Sequence, residues 1–194
     1  MTQEIWWSLI LTTLRDPRQA AETIMSWRID RSALWTALAL VALLNTLAFL
    51  LAVQSSPQMI PLPIGPDQPL AVFILLTGMM VVYVHSLHWA GTMIGGDGRL
   101  EDVLAVVVWL QTLRAGAQFI LVLAALIAPL LANLLSLIVI IWGLWILVNF
   151  IAAATRLQSI GAAIGALIFA GILLIIGLGV LTGILGFLLQ GVMR

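Results

Sequence analysis

Arg114 stands in a long apolar stretch, within the segment Trp109-Leu-Gln-Thr-Leu-Arg-Ala-Gly-Ala-Gln118. It follows Arg99 by 15 residues, which is about 22 Å along a helix at 1.5 Å per residue. An arginine at the centre of a membrane costs about 2.5–3.5 kcal/mol on insertion scales, so its side chain should face other helices or a wet cavity. Gln111 and Gln118 lie three and four residues away, on the same side of the helix. These three side chains form a candidate intramembrane polar site.

The polar stripe has two interpretations. One is an anion or lipid-headgroup site, or part of a permeation path. The other is a hydrogen-bonded clasp between helices, to groups such as Tyr83 or Asn149, or snorkelling of Arg114 toward an interface. Polar groups inside membranes often serve as packing contacts, and the sequence favours the second interpretation.

His85 and His88 are three residues apart, which places both imidazoles on one helix face. Two histidines and a carboxylate can ligate zinc or iron, and Asp97, Glu101 and Asp102 are close in sequence. The chain has neither a His-Glu-x-x-His motif nor a third spaced histidine. Hydrogen bonds from the histidines to neighbouring groups are therefore favoured over a metal site.

No catalytic constellation is recognisable in the sequence. The chain has no cysteine, which excludes disulfides and thiolate chemistry, and no Ser-x-x-Lys, Gly-x-Ser-x-Gly or Walker pattern occurs. Glu101 and Asp102 are adjacent, so on a helix their side chains point about 100° apart. Gly95-Gly96-Asp97-Gly98 follows an apolar helix, which indicates a turn. We expect no catalytic residue, no enzyme activity and no cofactor.

The elements that position these residues are membrane helices. Of 194 residues, 63% are hydrophobic and 8% are charged, against about 25% charged in soluble domains. Only a bilayer suits such a chain as solvent. The sequence predicts an all-α polytopic bundle, residues 32–194, with five spans at about 32–53, 69–94, 100–128, 133–154 and 159–189. The proline-rich segment 54–68 is predicted to be an exterior loop.

Residues 1–31 are predicted to form a cytoplasmic amphipathic segment at the membrane interface. Residues 3–14 are too short to span, and their Trp pair suits the headgroup level. A second short helix is expected over 17–27, because Asp16, Pro17 and Gln19 form an N-cap with a capping box.

Arginine placement predicts the orientation. With five spans and the N-terminus inside, six arginines lie in the cytoplasm and Arg194 lies outside. The six are Arg15, Arg18, Arg28, Arg31, Arg99 and Arg156. We therefore expect a multi-pass protein of the cell inner membrane with a cytoplasmic N-terminus.

The last span is rich in glycine. Gly161 and Gly165 form one Gly-x-x-x-Gly pair, and Gly179 and Gly183 form another, so helix backbones can approach closely there. Packing within the chain is one reading, and contact with a second copy or a partner protein is the other. The segment Gly177-Leu-Gly179 is a point where the span is expected to tilt or break.

Two stretches and their spacing resemble a known family. Leu14-Arg-Asp-Pro-Arg-Gln-Ala-Ala-Glu-Thr-Ile24 precedes a first span, and Gly95-Gly-Asp-Gly-Arg-Leu-Glu-Asp102 opens the third. With five spans and a cytoplasmic N-terminus, the chain is similar to bacterial members of the Yip family, relatives of eukaryotic proteins that interact with Rab-type GTPases. It lacks their long soluble N-terminal region, and Ala115-Gly116-Ala117 stands where a proline is expected. The resemblance implies a non-enzymatic protein that organises membranes or partner complexes, without carrying over GTPase binding.

Two functions follow from these observations. The first is a scaffold, accessory or trafficking-type factor that binds membrane lipids and other membrane proteins or a second copy of itself, but no nucleic acid. The alternative is a small transporter, channel or lipid-moving protein that uses Arg114, Gln111 and Gln118.

Overall fold

The computed structural model describes residues 3–55 and 68–192, and all regular structure in them is helical. The predicted all-α class is therefore confirmed. Most of the predicted exterior loop and Arg194 lie outside the described residues. The seven helices in chain order are α1 (Gln3–Arg15), α2 (Pro17–Ser26), α3 (Arg31–Ser55), α4 (Pro69–Met93), α5 (Leu100–Ile127), α6 (Pro129–Ala154) and α7 (Ile160–Val192). Helices α3 to α7 are long and apolar enough to cross a membrane.

Proline and short polar side chains set several helix starts. The Asp16 carboxylate accepts a hydrogen bond from the Gln19 N–H at 3.1 Å, with Pro17 at the first helical position, as the capping pattern predicts. Pro129 likewise opens α6, four residues before the predicted start near residue 133. Helices α5 and α6 are separated by the single residue Ala128, whose φ of −150° and ψ of 98° are not helical. A proline at the first position needs no N–H partner, so α6 begins there directly.

Helix α7 runs unbroken from Ile160 to Val192, without the break expected at Gly177–Gly179. A broken helix in hydrocarbon would leave backbone groups unpaired, because no water replaces the lost hydrogen bonds. The Thr182 hydroxyl also donates to the Leu178 carbonyl at 2.8 Å, one turn back.

One end of the bundle carries a core to which all seven helices contribute. We call it the charged end, and it contains the segments 27–30, 94–99 and 155–159. Its buried residues include Leu9, Ile24, Leu38, Val84 and Leu104, and it continues through Phe150 and Ala166. A second, smaller core of Ala71, Val72 and Leu75 lies nearer the other end, which we call the apolar end. Among the described residues, the side chains packed around it come from α3, α4 and α7.

The first two helices pack differently on the bundle. Helix α2 buries Pro17, Ala20, Ala21 and Ile24 against α5 and α6, while Arg18 and Glu22 face outward. Helix α1 meets α5 and α6 at two tryptophans: the Trp109 indole N–H donates to the Thr13 hydroxyl, and the Trp142 indole N–H donates to the Leu14 carbonyl, both at 3.2 Å. Residues 3–26 are therefore part of the folded bundle.

Candidate functional site

Two turns interlock at the charged end. A Cβ placed on Gly98 would collide with the Ala154 carbonyl, and one on Gly96 would collide with the Thr155 carbonyl. On Gly91 it would lie 2.5 Å from the Thr155 Cγ2. The glycine-rich turn after α4 therefore lies directly on the end of α6, a contact for which these positions require glycine.

Ion pairs surround the interlocked turns. The Arg156 guanidinium lies 3.7 Å from a carboxylate oxygen of Asp102 and 3.8 Å from one of Asp97. Glu101 lies 3.5 Å from Arg99 and 3.9 Å from Arg31. Asp102 is only 16% exposed, whereas Asp97 is 98% exposed, so the Asp102 pair is the less screened by solvent. The arrangement ties α3, α5 and the α6–α7 turn together and leaves charged side chains facing solvent.

A cavity of about 250 Å³ opens beside these charges, between the end of α2 and the starts of α3 and α5. Arg28, Arg31 and Arg99 line it together with Asp30, Glu101 and Asp102. Three cations therefore face three anions, which gives the cavity no net charge and no preference for a simple anion.

Arg114, the sharpest feature of the sequence, is exposed on the surface of α5. Tyr83 on α4 lies within electrostatic range of the Arg114 guanidinium. The Gln111 Oε1 atom is buried and has no hydrogen-bond partner among the described residues, and Gln118 is exposed. Asn149 takes no part, because its amide donates to the Trp145 carbonyl of its own helix. The stripe thus begins at the partly buried Gln111 and continues along the exposed surface of α5 through Arg114 to Gln118.

The two histidines lie in the half of α4 that is nearer the charged end of the bundle. The His85 Nδ1 atom is 2.8 Å from the Val81 carbonyl, and its ring stacks on Trp35 with centroids 5.9 Å apart. The His88 Nδ1 atom is buried without a partner among the described residues. Across the same part of the chain, no group of three or more His, Cys, Asp or Glu side chains is placed to hold a metal ion. A metal at His85 and His88 stays a prediction that finds no third ligand in this structure.

The closest glycine contacts in the membrane are not at the predicted pairs. A Cβ on Gly179 or Gly183 would meet no described atom of another helix within 4 Å, and Gly165 has only an ordinary contact with Ile94 at 3.7 Å. Gly161 approaches only the nearby Ser159 side chain, at 4.0 Å. Among the described residues, Gly179 and Gly183 therefore make no close contact with another helix, and both packing within the chain and contact with a second copy stay predictions.

The tight α4–α7 contact uses Gly78 and Gly177. A Cβ on Gly177 would lie 2.5 Å from the Val82 Cγ1, and one on Gly78 would lie 2.7 Å from a Leu181 methyl group. The Gly-x-x-x-Gly pattern overlooks both residues, because each glycine faces a β-branched or branched side chain rather than another small residue.

The contacts of Trp109 are also absent from the sequence-based site. Trp6 stacks on Trp109 with ring centroids 5.3 Å apart, next to the Thr13 hydrogen bond. The only sequence signal was a tryptophan in the interior of a predicted span, nine positions from its start, where a membrane-belt role does not fit.

An open groove of about 670 Å³ runs along α1 to the start of α2. Trp7 and Leu11 line it with Glu4, Ser8, Thr12, Arg15, Asp16 and Gln19. Neither this groove nor the cavity at the charged end is lined by Arg114, so the polar stripe belongs to neither.

Comparison with known proteins identifies a family for this fold. Searches of curated proteins and of solved structures found no match. The family model of the Yip1 domain matches residues 11–181, a range that runs from α1 into α7 and includes both interlocked turns. With five helices suited to crossing a membrane, the chain is a multi-pass membrane protein and belongs to the Yip1-domain family.

Proposed function

We propose that this protein is a non-enzymatic scaffold or accessory factor of the bacterial inner membrane, and that its charged end is cytoplasmic and binds partners. The observation that carries the proposal is the rigid charged end, where α1 and α2 join the same core as the five membrane helices. Its turns interlock through Gly96 and Gly98, and its exposed side chains include Asp97, Arg99 and Arg156. Charged side chains carried on a closely packed backbone favour recognition of a partner, because that backbone loses little conformational entropy on binding.

Arginine asymmetry supports the orientation. The charged end and the segment leading to it carry Arg15, Arg18, Arg28, Arg31, Arg99 and Arg156. Short loops rich in arginine stay in the cytoplasm. The partners are expected to be membrane proteins, membrane lipids or a second copy of the chain.

Site-specific crosslinking tests the proposal. A photo-crosslinking residue replaces Asp97, which is 98% exposed, and a matched one replaces Ile172, which is 50% exposed on α7. We expect crosslinks at position 97 to one protein in near-stoichiometric amount, and crosslinks at position 172 only to lipid or to other spans. The charge reversal Arg28→Glu should reduce the crosslink at position 97 about tenfold, since it changes the charge of the adjacent cavity without removing an ion pair given above. Absence of a stoichiometric product at position 97 would refute the scaffold role.

A second function has one observation in its favour. Arg114 is an exposed charge on a membrane helix, near a Gln111 carbonyl oxygen that has no hydrogen-bond partner among the residues described, and such residues mark ion or lipid pathways in transporters. If the stripe moves anions or lipids, Arg114→Ala should abolish flux in proteoliposomes, whereas Thr112→Ala, on another side of α5, should leave it unchanged. Equal flux in liposomes with and without the protein would exclude this function.

A further inference from the structure

The boundary between exposed apolar and exposed polar side chains lies at different heights on two flanks of the bundle. On α4 and α7, apolar side chains are exposed right up to the charged end: Trp89 is 59%, Met93 70% and Ile160 57% exposed. On the opposite flank, α2 covers the corresponding parts of α5 and α6 and presents Arg18, Gln19, Glu22 and Thr23 outward. Hydrocarbon suits the first surface and water suits the second.

The length of helix α2 gives the difference in height between the two boundaries. It starts beside Leu14, whose carbonyl accepts from Trp142, and it ends at the cavity that Ile24 and Met25 share with Arg99. Its ten residues rise about 15 Å. Trp109 lies nine residues into α5, about 14 Å from the charged end, and Trp142 lies twelve residues before the end of α6, about 18 Å from it.

At that level, α1 has the surfaces of a helix lying in a membrane interface. Leu9 and Thr13 face the bundle and are buried. Trp7, Leu11 and Leu14 form one exposed apolar flank, at 60%, 49% and 45% exposure. At 100° per residue, Glu4, Ser8, Thr12 and Arg15 fall on the next sector, where they line the open groove. A helix with one apolar and one charged side lies in the plane of the headgroups.

Tryptophans mark the same level. Helix α1 carries Trp6 and Trp7, and Trp109 stacks on Trp6. The Trp142 indole donates to the Leu14 carbonyl, and Trp145 packs edge to face on Trp142 at 6.0 Å. Indole rings concentrate at the boundary between hydrocarbon and headgroups. The three other tryptophans lie nearer the charged end.

From these observations we infer that the α1 flank is a binding surface for phospholipid headgroups, which meet the protein about 14 Å deeper there than on the α4–α7 flank. The exposed apolar surface of α6, from Leu130 to Trp145, is about 22 Å long, whereas that of α7, from Ile160 to Phe187, is about 40 Å long. A hydrocarbon core is about 30 Å thick, so the bilayer must thin beside α1. The occupants of the α1 groove are lipid phosphates and cholines or amines, which match its mixed Arg15, Asp16 and Glu4 charges. This surface needs no partner protein.

Spin-label depth measurements in liposomes of the purified full chain test the inference. The chain has no cysteine, so single cysteines can be introduced without a background. Arg18→Cys on α2 and Ile168→Cys on α7 lie at similar heights, because Arg18 is eight residues from the end of α2 and Ile168 is eight residues from the start of α7, about 12 Å in each case. Collisions with oxygen and with a water-soluble nickel complex then report depth. Ser8→Cys and Leu11→Cys report the two sides of α1.

We expect the label at 18 outside the hydrocarbon, in contact with water, and the label at 168 at least about 10 Å inside the hydrocarbon. The label at 8 should lie at headgroup level, and the label at 11 should lie just below it. Equal depths at 18 and 168 would overturn the inference, as would a label at 8 that reads either bulk water or hydrocarbon. Since no other protein is present, the result is separate from the fate of the scaffold proposal.

Discussion

One half of the α5–α6 hairpin is buried in the bundle, and the other half is largely exposed. Near the charged end, residues 103–107 and 150–155 are buried beneath α2, α3, α4 and α7. Toward the apolar end, the same two helices expose many large side chains, including Phe119 at 66%, Leu126 at 80% and Ile140 at 64%. The second core, around Val72 and Leu75, receives side chains from α3, α4 and α7 in the part of the chain that the structure describes.

This difference shows where the stability of the protein is concentrated. In lipid, apolar side chains gain little from mutual burial, so close van der Waals packing and polar contacts hold helices together. The charged end has both, in the interlocked glycine turns and the Arg156 ion pairs. The apolar half of α5–α6 has neither among the described residues, so it should respond to lipid composition while the charged end stays fixed.

Gly98→Ala should produce the largest effect. The added methyl group meets the Ala154 carbonyl and would lie 2.5 Å from the Thr155 Cα, both backbone atoms that cannot rotate away. We expect a loss of about 3 kcal/mol or more in the free energy of unfolding, the upper range for overpacking. Reversible unfolding in mixed detergent micelles measures it.

Gly116→Ala is the matched control in the other half of α5. No described heavy atom of another helix lies within 4 Å of a Cβ at this position. Stability should be unchanged or rise by up to about 1 kcal/mol from helix propensity. If the two alanine variants had equal stability, packing would not be concentrated at the charged end.

Gly177→Ala should cost about 1–2 kcal/mol, because its Cβ would lie 2.5 Å from the stiff Val82 side chain. Val82→Ala in the same chain should recover part of that loss, and a double-mutant cycle measures the coupling. Gly179→Ala should leave the monomer unaffected. A loss at Gly179 as large as at Gly177 would contradict the contacts described here, unless analytical ultracentrifugation shows that self-association has changed.

Trp109→Phe should cost about 1 kcal/mol, the net value of one buried hydrogen bond, since phenylalanine keeps most of the stacking on Trp6 but cannot donate to Thr13. The loss should be local. Hydrogen exchange in nanodiscs should speed up across α1 and leave α4 and α7 unchanged. Trp89→Phe, at an exposed position on α4, is the control, and equal exchange in both variants would mean that Trp109 does not hold α1.

Much of the fold follows from apolar run lengths and helix signals. Asp16, Pro17 and Gln19 locate the start of α2, and Pro69 and Pro129 each occupy the first position of a membrane helix. These features are local, and each acts through its own backbone geometry. The family resemblance also rested on local order and spacing, in the glycine-rich turn and the segment around Asp16.

What failed to follow from the sequence is pairing between distant segments. Gly98 meets Ala154, Gly177 meets Val82 and Thr13 meets Trp109, contacts that span 56, 95 and 96 residues. A glycine motif shows that close approach is possible but not which helix approaches. Interlocking of the two turns at the charged end was similarly hidden, because nothing local distinguishes a glycine that faces a carbonyl from one that faces lipid.

The smallest effect is expected where the chain enters α3. The Ser32 hydroxyl and then its backbone N–H donate to the Asp30 carboxylate, and these hydrogen bonds lower the pKa of Asp30 below its usual 3.8. A lowered carboxyl pKa contributes stability that is present above the unfolded-state value and is lost as pH falls through the folded-state pKa. Ser32→Ala should move the pKa of Asp30 back toward 3.8, as measured by carbon NMR titration of the carboxyl group. Ser8→Ala, an exposed serine on α1, should leave it unchanged. An Asp30 pKa that is identical in the parent and in Ser32→Ala would show that this cap does not stabilise the start of α3. The stability of the charged end would then depend on the interlocked turns and the ion pairs alone.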